Sequence, residues 1–335
     1  MITISVCMIV KNEEQVLERC LNSLQKIADE IVIVDTGSTD RTKEIAARYT
    51  DRIYDFVWVD DFSAARNFAF SKATKEYIYS ADADEVLEEA DCRKFLQLKQ
   101  VLLPEIEIVE MIYVNPEDCN AVYNYNREPR PKLFRRLRTF RWIDPVHETV
   151  ATDPIVYSSD IEIQHRPLAL HTNRDLAVME KTLRKHGTMS DRLFSMYAKE
   201  LFISGVPDDF ATAAEWFKIR KNSPDISLEK RLEATCVVAK THAVKEEWEA
   251  FLALVLPVIY CGGPIPAELY FLLGRYYEKE NPAQAIAWYQ KAAMEAESYI
   301  CISYGGEAAL REVIRLLLQE ERTEEAEVFA SMLEN

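Results

Sequence analysis

"EIVIVDTGSTDRTKEIAARY", residues 30–49, reads as one strand, one turn and one helix. Ile31 to Val34 form an unbroken apolar, β-branched run, which suits a strand covered on both faces. "TGSTD" follows as turn and cap. Gly37 permits a tight turn, and Thr39 or Asp40 can cap the helix opened by "RTKEIAARY". The same grammar stands on either side. "TISVCMIV" (3–10) precedes "NEEQVLERCLNSLQKI" (12–27), where Val16, Cys20, Leu24 and Ile27 form one helical stripe with Leu17 and Leu21 beside it. "RIYDFVWV" repeats the strand, "FSAARNFAFSKA" the helix and "EYIYS" the strand again. Four such units predict an α/β domain with a mostly parallel sheet. Ligands of such sheets bind beyond the carboxyl ends of the strands, where Asn12, Asp35 and Asp82-Ala83-Asp84 fall.

The composition narrows the function. At 335 residues the chain has room for two domains, and its net charge of −16 argues against nucleic acid or an anionic membrane as the main partner. The seven cysteines are scattered and form no C-x-x-C pair, which points to reduced thiols in a cytoplasmic protein. The apolar opening is too short for a signal peptide or a membrane span, so no transmembrane segment is expected there.

"SADADEVL" (80–87) brings Asp82, Asp84 and Glu85 together at a strand end. Like charges so close repel, and the plain reading of an arbitrary D-x-D is a solvated acidic loop. Its place on a rim with Asn12 and Asp35 favours a site instead. Asp35 is placed to bond a base or ribose. No G-x-G-x-x-G or Walker-type loop exists to cradle phosphate, so positive charge has to come from elsewhere. A divalent cation held by Asp82 and Asp84, its shell completed by substrate phosphates, would supply that charge. Arg66 and Asn67 lie one turn into a helix behind Asp61. A basic run, Arg127, Arg130, Lys132, Arg135, Arg136, Arg138 and Arg141, reads either as solvated arginines on a strand pair or as one or two arginines reaching a diphosphate. Trp58 and Trp142 read as core in preference to sugar-stacking platforms.

From Leu168 onward the strands give way to helical patterns. "ATAAEWFKIRK" and "PAQAIAWYQKAA" share one core, with Ala213 and Ala285 in the same place, about two tetratricopeptide lengths apart. Leu273-Gly274, Tyr277, Ala285, Tyr289 and Ala292 follow that repeat, so 168–335 is expected to be a helical solenoid of three or four helix pairs, with an unrelated helical bundle as the plainer reading. A homodimer through these repeats is a further expectation.

Taken in order, "VCMIVKNEEQVLERCLNSL", "DEIVIVDTGSTDRT", "DDFSAARN" and "YIYSADADE" resemble the family-2 glycosyltransferases of the GT-A fold, most densely a subgroup with "DFSxARN" and a later "VHE" that includes the sublancin-type peptide S-glycosyltransferases. The resemblance covers 1–166 and implies a catalytic GT-A domain over 1–167. It implies that Cys7, Ile9 and Glu14 flank a nucleobase, and that Asp35 reaches base or ribose. Arg66, Asn67 and Arg135 would approach ribose and diphosphate, and Asp82-Ala83-Asp84 would be the D-x-D motif. Asp84, Asp82 and His165 would hold Mn²⁺ or Mg²⁺. "FRWIDPVHE" nominates Glu148 as base beside His147, with Asp144-Pro145 standing where relatives have glycine. The function implied is inverting transfer from a UDP-sugar to a polypeptide Cys, Ser or Thr held by the helical half. A saccharide or lipopolysaccharide-core acceptor is the alternative. A non-catalytic repeat scaffold would carry a degenerate rim, and a nucleotidyltransferase would carry a glycine-rich phosphate loop.

Overall fold

The computed structural model describes residues 1–115, 127–136, 140–150, 154–167 and 172–333. Cys119 and Arg138 lie outside them. The chain divides into two compact units, Met1–His171 and Thr172–Asn335.

In the N-terminal unit the strands β1 (Ile4–Val10), β2 (Glu30–Asp35), β3 (Ile53–Asp55) and β4 (Tyr77–Ala81) alternate with the helices α1 (Leu17–Leu24), α2 (Thr42–Ala46) and α3 (Phe62–Lys72). Then come β5 (Glu85–Val86), α4 (Glu89–Val101), β6 (Ile108–Val114), β7 (Arg127–Arg135), β8 (Trp142–Ile143), β9 (Thr149–Val150) and β10 (Val156–His165). One sheet runs β3-β2-β1-β4-β7-β6-β10-β5, and β8 pairs with β9 apart from it. Neighbours β3, β2, β1 and β4 are parallel. β7 opposes both β4 and β6, and β5 opposes β10. The sheet is mostly parallel, as expected.

Its amphipathy explains the layers. Ile4, Val6, Met8 and Val10 of β1 pack with Leu17, Leu21 and Phe95 on one side, while Cys7 joins Val32, Val34 and Ala69 on the other. Each such aliphatic side chain contributes about 1.5–3 kcal/mol on burial. β3 is shorter than its apolar run promised. It stops at Asp55, and Val57 and Val59 are exposed.

The chain order steps outward from β1 to β2 and β3, then returns to place β4 on the other flank of β1. That reversal is a topological switch point, so the carboxyl ends of β1 and β4 border a crevice. The antiparallel pairing of Glu85 with His165 then carries the end of β10 to the same place.

The second unit comprises α5 (Thr172–His186), α6 (Asp191–Ser204), α7 (Pro207–Lys221), α8 (Leu228–Val244), α9 (Trp248–Tyr260), α10 (Ala267–Tyr277), α11 (Pro282–Met294), α12 (Glu307–Gln319) and α13 (Thr323–Leu333). The two related segments occupy α7 and α11. Ala213 and Phe217 are fully buried in one, and Ala285 and Tyr289 take the same places in the other. Gly274 has a packing reason: a Cβ there would come within 2.6–2.7 Å of the Tyr289 ring, so only glycine lets α10 and α11 approach this closely. Among the described residues, no helix is long and apolar enough to cross a membrane.

Candidate active site

The β2–α2 turn is tied down from both sides. Asn12, in the left-handed region at φ 56, accepts the Thr39 N–H at 2.8 Å, and its own N–H donates to Ser38 Oγ at 3.0 Å. Asparagine tolerates that conformation better than most residues. Asp35 Oδ2 accepts the N–H groups of Gly37 (3.1 Å) and Ser38 (3.0 Å), with Gly37 at φ 103. Asp35 Oδ1 is buried and has no hydrogen-bond partner. A buried acceptor left unsatisfied is costly, so this oxygen suits a donor from outside the chain.

At the end of β4 the carboxylates diverge. Asp82 turns to the chain's own cations, with Arg66 Nη2 at 2.8 Å and Lys132 Nζ at 3.6 Å. Burial works against its charge, but Arg66 and Lys132 hold its carboxyl well below the usual carboxylate range. Arg66 is the hub. Its Nε donates to Glu148 Oε1, Nη1 donates to Ser80 Oγ at 3.0 Å, and its guanidinium lies 5.3 Å from the Trp142 ring centre. Burial opposes that charge too, yet Asp82 and Glu148 keep Arg66 above its ordinary value. Beneath them Lys132 donates to Glu85 and, at 3.0 Å, to the Ser80 carbonyl. Glu85 is fully buried, and burial raises its carboxyl above the usual range although Lys132 pulls it down.

Asp84 points the other way. Its Oδ2 is 3.2 Å from His165 Nε2, and His165 Nδ1 is 3.0 Å from Asn115 Oδ1. The expected metal set of Asp84, Asp82 and His165 is therefore not assembled as a group. Among the described residues, no three His, Cys, Asp or Glu side chains stand close enough to hold an ion. What fits is a pair. A carboxylate oxygen and an imidazole nitrogen converge, the imidazole backed by an amide, which is a donor set suited to a cation that completes its shell with ligand oxygens.

Glu148 is set by α3. Asp61 caps that helix by accepting the Ala64 N–H at 3.0 Å. The Asn67 amide accepts the Trp142 N–H at 2.9 Å and donates to its carbonyl at 3.0 Å, and the Phe62 N–H donates to Pro145 O at 2.8 Å. Asp144 and His147 take left-handed φ values of 68 and 49. Asp144 thus occupies a conformation that favours glycine but that aspartate also adopts, which accommodates the departure seen in the sequence.

The structure brings Arg66, Asp82, Glu148, Asp84 and His165 to one end of the sheet, with Asp35 on the same rim, Ile9 near the end of β1 and Ala83 buried within the acidic turn. Three nominations move. Cys7 lies within β1 between Val32 and Ser80, where its thiol donates to Ala69 O at 3.6 Å and burial pushes its pKa up to about 12, so it belongs to the core. Arg135 pairs with Tyr77 at the start of β4, the far end from Asp82. Glu14 is exposed and accepts the Arg41 N–H at 3.0 Å. Asn67 and Asp61 act on backbone, as above, and Trp142 is core.

Lys132, Glu85, Ser80 and Asn115 are the site residues that the sequence reading did not nominate. Lys132 was within the basic run, but a lysine and not an arginine reaches the acidic turn. Pairing on β6 skips from Leu133 to Pro131, so Lys132 is the extra residue of a bulge. A bulge breaks the two-residue alternation by which a strand face is read.

The N-terminal unit is similar to known proteins over most of its length. Residues 5–153 match glycosyl transferase family 2. A TPR repeat-containing protein of Synechococcus elongatus is 37% identical over 150 residues, 45% of this chain and 36% of that protein. The SPbeta prophage-derived glycosyltransferase SunS of Bacillus subtilis is 32% identical over 162 residues, 48% of this chain and 36% of SunS. The chain thus spans about a third of the length of these relatives. Among solved structures, glucosyl-3-phosphoglycerate synthase from Mycobacterium tuberculosis, in complex with Mn²⁺ and uridine-diphosphate-glucose, aligns at a TM-score of 0.40 with 15% identity, covering 57% of this chain and 81% of that one.

Proposed function

We propose that this protein is an inverting glycosyltransferase that moves a sugar from a UDP-sugar to a polypeptide side chain, using Mn²⁺ or Mg²⁺. The observation that carries the reading is the junction made by Arg66, which joins the D-x-D carboxylate Asp82 to Glu148 across the crevice at the switch point. Asp35, with its unsatisfied buried oxygen, is the group for a base or ribose donor. Asp84 and His165 would hold the metal, which supplies Lewis-acid screening of the leaving diphosphate.

The remaining steps belong to the chain. Arg66, a planar fork already in the crevice, turns from Glu148 to the diphosphate when donor binds, since two phosphates offer more charge than one carboxylate. Glu148 is then free to take the proton from the acceptor hydroxyl or thiol. The acceptor atom forms its bond to the anomeric carbon as the bond to the diphosphate oxygen breaks, and UDP departs with that electron pair. Asn67 and Asp61 keep Glu148 in place throughout. Four buried free thiols, Cys7, Cys20, Cys92 and Cys236, support a reducing, cytoplasmic setting. The helical unit, with its paired α7 and α11 pattern, is the proposed acceptor holder.

The test is nucleotide release. The protein is incubated with a panel of nucleotide-sugars and Mn²⁺ or Mg²⁺, with and without EDTA. Metal-dependent release of UDP supports the reading; no release from any UDP-sugar, or equal release with EDTA, overturns it. A glycan that outperforms every peptide as acceptor would reassign the acceptor alone.

A further inference from the structure

β3 is the outermost strand of the sheet, and its outer edge has no strand beside it among the described residues. We propose that this edge, continued through Val59, binds an extended polypeptide segment as an added strand. The segment it suits has β-branched residues at its centre and basic residues at its ends. The inference deepens the polypeptide-acceptor reading and rests on it for what the segment belongs to.

The Arg52 carbonyl accepts the Ile33 N–H at 3.0 Å, and the Phe56 N–H donates to the Asp35 carbonyl at 2.8 Å, so the even-numbered residues face β2. In extended backbone the residues between them turn their N–H and C=O groups the other way, here Ile53, Asp55, Val57 and Val59. Pairing with β2 stops at Asp55, yet the alternation of side chains continues. Phe56 packs on Phe68 at 5.4 Å and Trp58 on Phe62 at 4.7 Å, while Val57 and Val59 are 85% and 50% exposed. Neither valine's backbone makes a hydrogen bond among the described residues. Asp60, at φ 57, ends the run. Unpaired backbone groups beside exposed β-branched side chains form a template for a further strand.

Charge and position select the occupant. Asp55, Asp60 and Asp61 bracket the stretch from Phe56 to Val59, and Lys43 pairs with the first of them. A second copy of this chain, laid antiparallel along the same edge, would set Asp55 opposite Asp60 or Asp61. Like charges directly opposite are unfavourable, whereas Lys or Arg at those places is favoured. The edge also leads into the crevice. Asp55 lies level with Asp35 in the sheet, and Asp61 caps α3, whose Phe62 N–H donates to Pro145 O, three residues before Glu148. A strand laid here runs from the Asp35 rim towards the loop of Glu148, which suits the few residues around an acceptor side chain. The rest of the acceptor is left to the helical unit. Main-chain hydrogen bonds supply affinity in this mode and tolerate varied side chains.

Calorimetry and amide NMR on the full chain, without nucleotide-sugar, test this. The probe is acetyl-Lys-Val-Thr-Val-Thr-Val-Lys amide. Its variants are N-methylated on the valines, N-methylated on the threonines, or carry Glu in place of both lysines. The probe should saturate one site and shift the Val57 and Val59 amide resonances. One methylated version should bind at least about tenfold more weakly and the other within about threefold, because only one set of amides faces the edge. The acidic version should bind about tenfold more weakly. Val57→Pro, which removes one outward N–H at a position where an edge tolerates proline, should weaken the probe about threefold or more, and Val57→Thr should not. Non-saturable binding, equal loss with both methylated versions, or unshifted Val57 and Val59 amides overturns the proposal. A dimer in sedimentation that Val57→Lys disperses gives the edge to a second copy and also overturns it. Metal-dependent UDP release without probe binding removes the edge alone; probe binding at the edge without UDP release removes the transferase reading alone.

Discussion

Replacing Arg66 by alanine removes the cation that touches both Asp82 and Glu148. The two carboxylates are not equally hurt. Asp82 is 33% exposed and keeps Lys132 at 3.6 Å, so water and a second cation cover most of its loss. Glu148 is only 12% exposed and loses its arginine outright. Breaking a buried ion pair by removing one partner costs about 3–5 kcal/mol, whereas exposed pairs contribute about 0–1, so nearly all of the change falls on Glu148. Hydrogen exchange of the β1 and β4 amides reads this unit separately from the helical one, and Arg66→Ala should lower their opening free energy by about 3–5 kcal/mol at pH 7.5. Arg66→Lys, which keeps charge without the fork, should lose less, about 1.5–3 kcal/mol. Adding Glu148→Gln to Arg66→Ala should restore about 1–3 kcal/mol, because the stranded charge is gone. The pH dependence has a definite sign. Asp82 is depressed in the native state, so its pairing contributes stability above the unfolded carboxylate pKa, and that contribution is lost as pH falls towards and below it. The gap between wild type and Arg66→Ala should therefore narrow as pH falls from 7.5 through and below the ordinary carboxylate pKa of about 4. A loss under about 1 kcal/mol, additive behaviour with Glu148→Gln, or a gap that widens on acidification would refute the hub.

Three other outcomes are expected. Lys132→Met strands Glu85 and should cost about 3 kcal/mol by urea unfolding, most of it recovered by adding Glu85→Gln; failure of the second change to recover stability contradicts the buried pairing. His165→Ala should raise the Mn²⁺ concentration for half-maximal nucleotide release about 10–100-fold, and an unchanged Mn²⁺ titration removes His165 from the metal. Gly274→Ala drives a methyl into the Tyr289 ring and should lower helical-unit stability by about 1–3 kcal/mol in thermal melts, with donor binding unaffected; wild-type stability would show that α10 and α11 are not in contact there.

Much of the fold was legible because strands covered on both faces write themselves as unbroken apolar runs. "EIVIVD" is β2, and the D-x-D does stand where β4 ends. The burial echo of Ala213 and Phe217 in Ala285 and Tyr289 was legible because a repeat fixes the same packing twice. Other features depend on tertiary pairing. "RIYDFVWV" is β-prone throughout, yet only three of its residues find a neighbouring strand. Cys7 matched a rim position by motif but sits three residues short of the strand end, facing α3. Lys132 is displaced by a bulge, and Asn115 meets His165 through two strands that adjoin in the sheet and lie far apart in sequence. No local pattern carries that information.

The central claim is that Glu148 accepts the acceptor's proton in a crevice that binds the donor without it. Single-turnover transfer by Glu148→Gln, with donor saturation confirmed by calorimetry on the same sample, tests this directly. The donor dissociation constant should stay close to wild type and transfer should slow about 10²- to 10⁴-fold. Transfer at the wild-type rate with donor fully bound would contradict it.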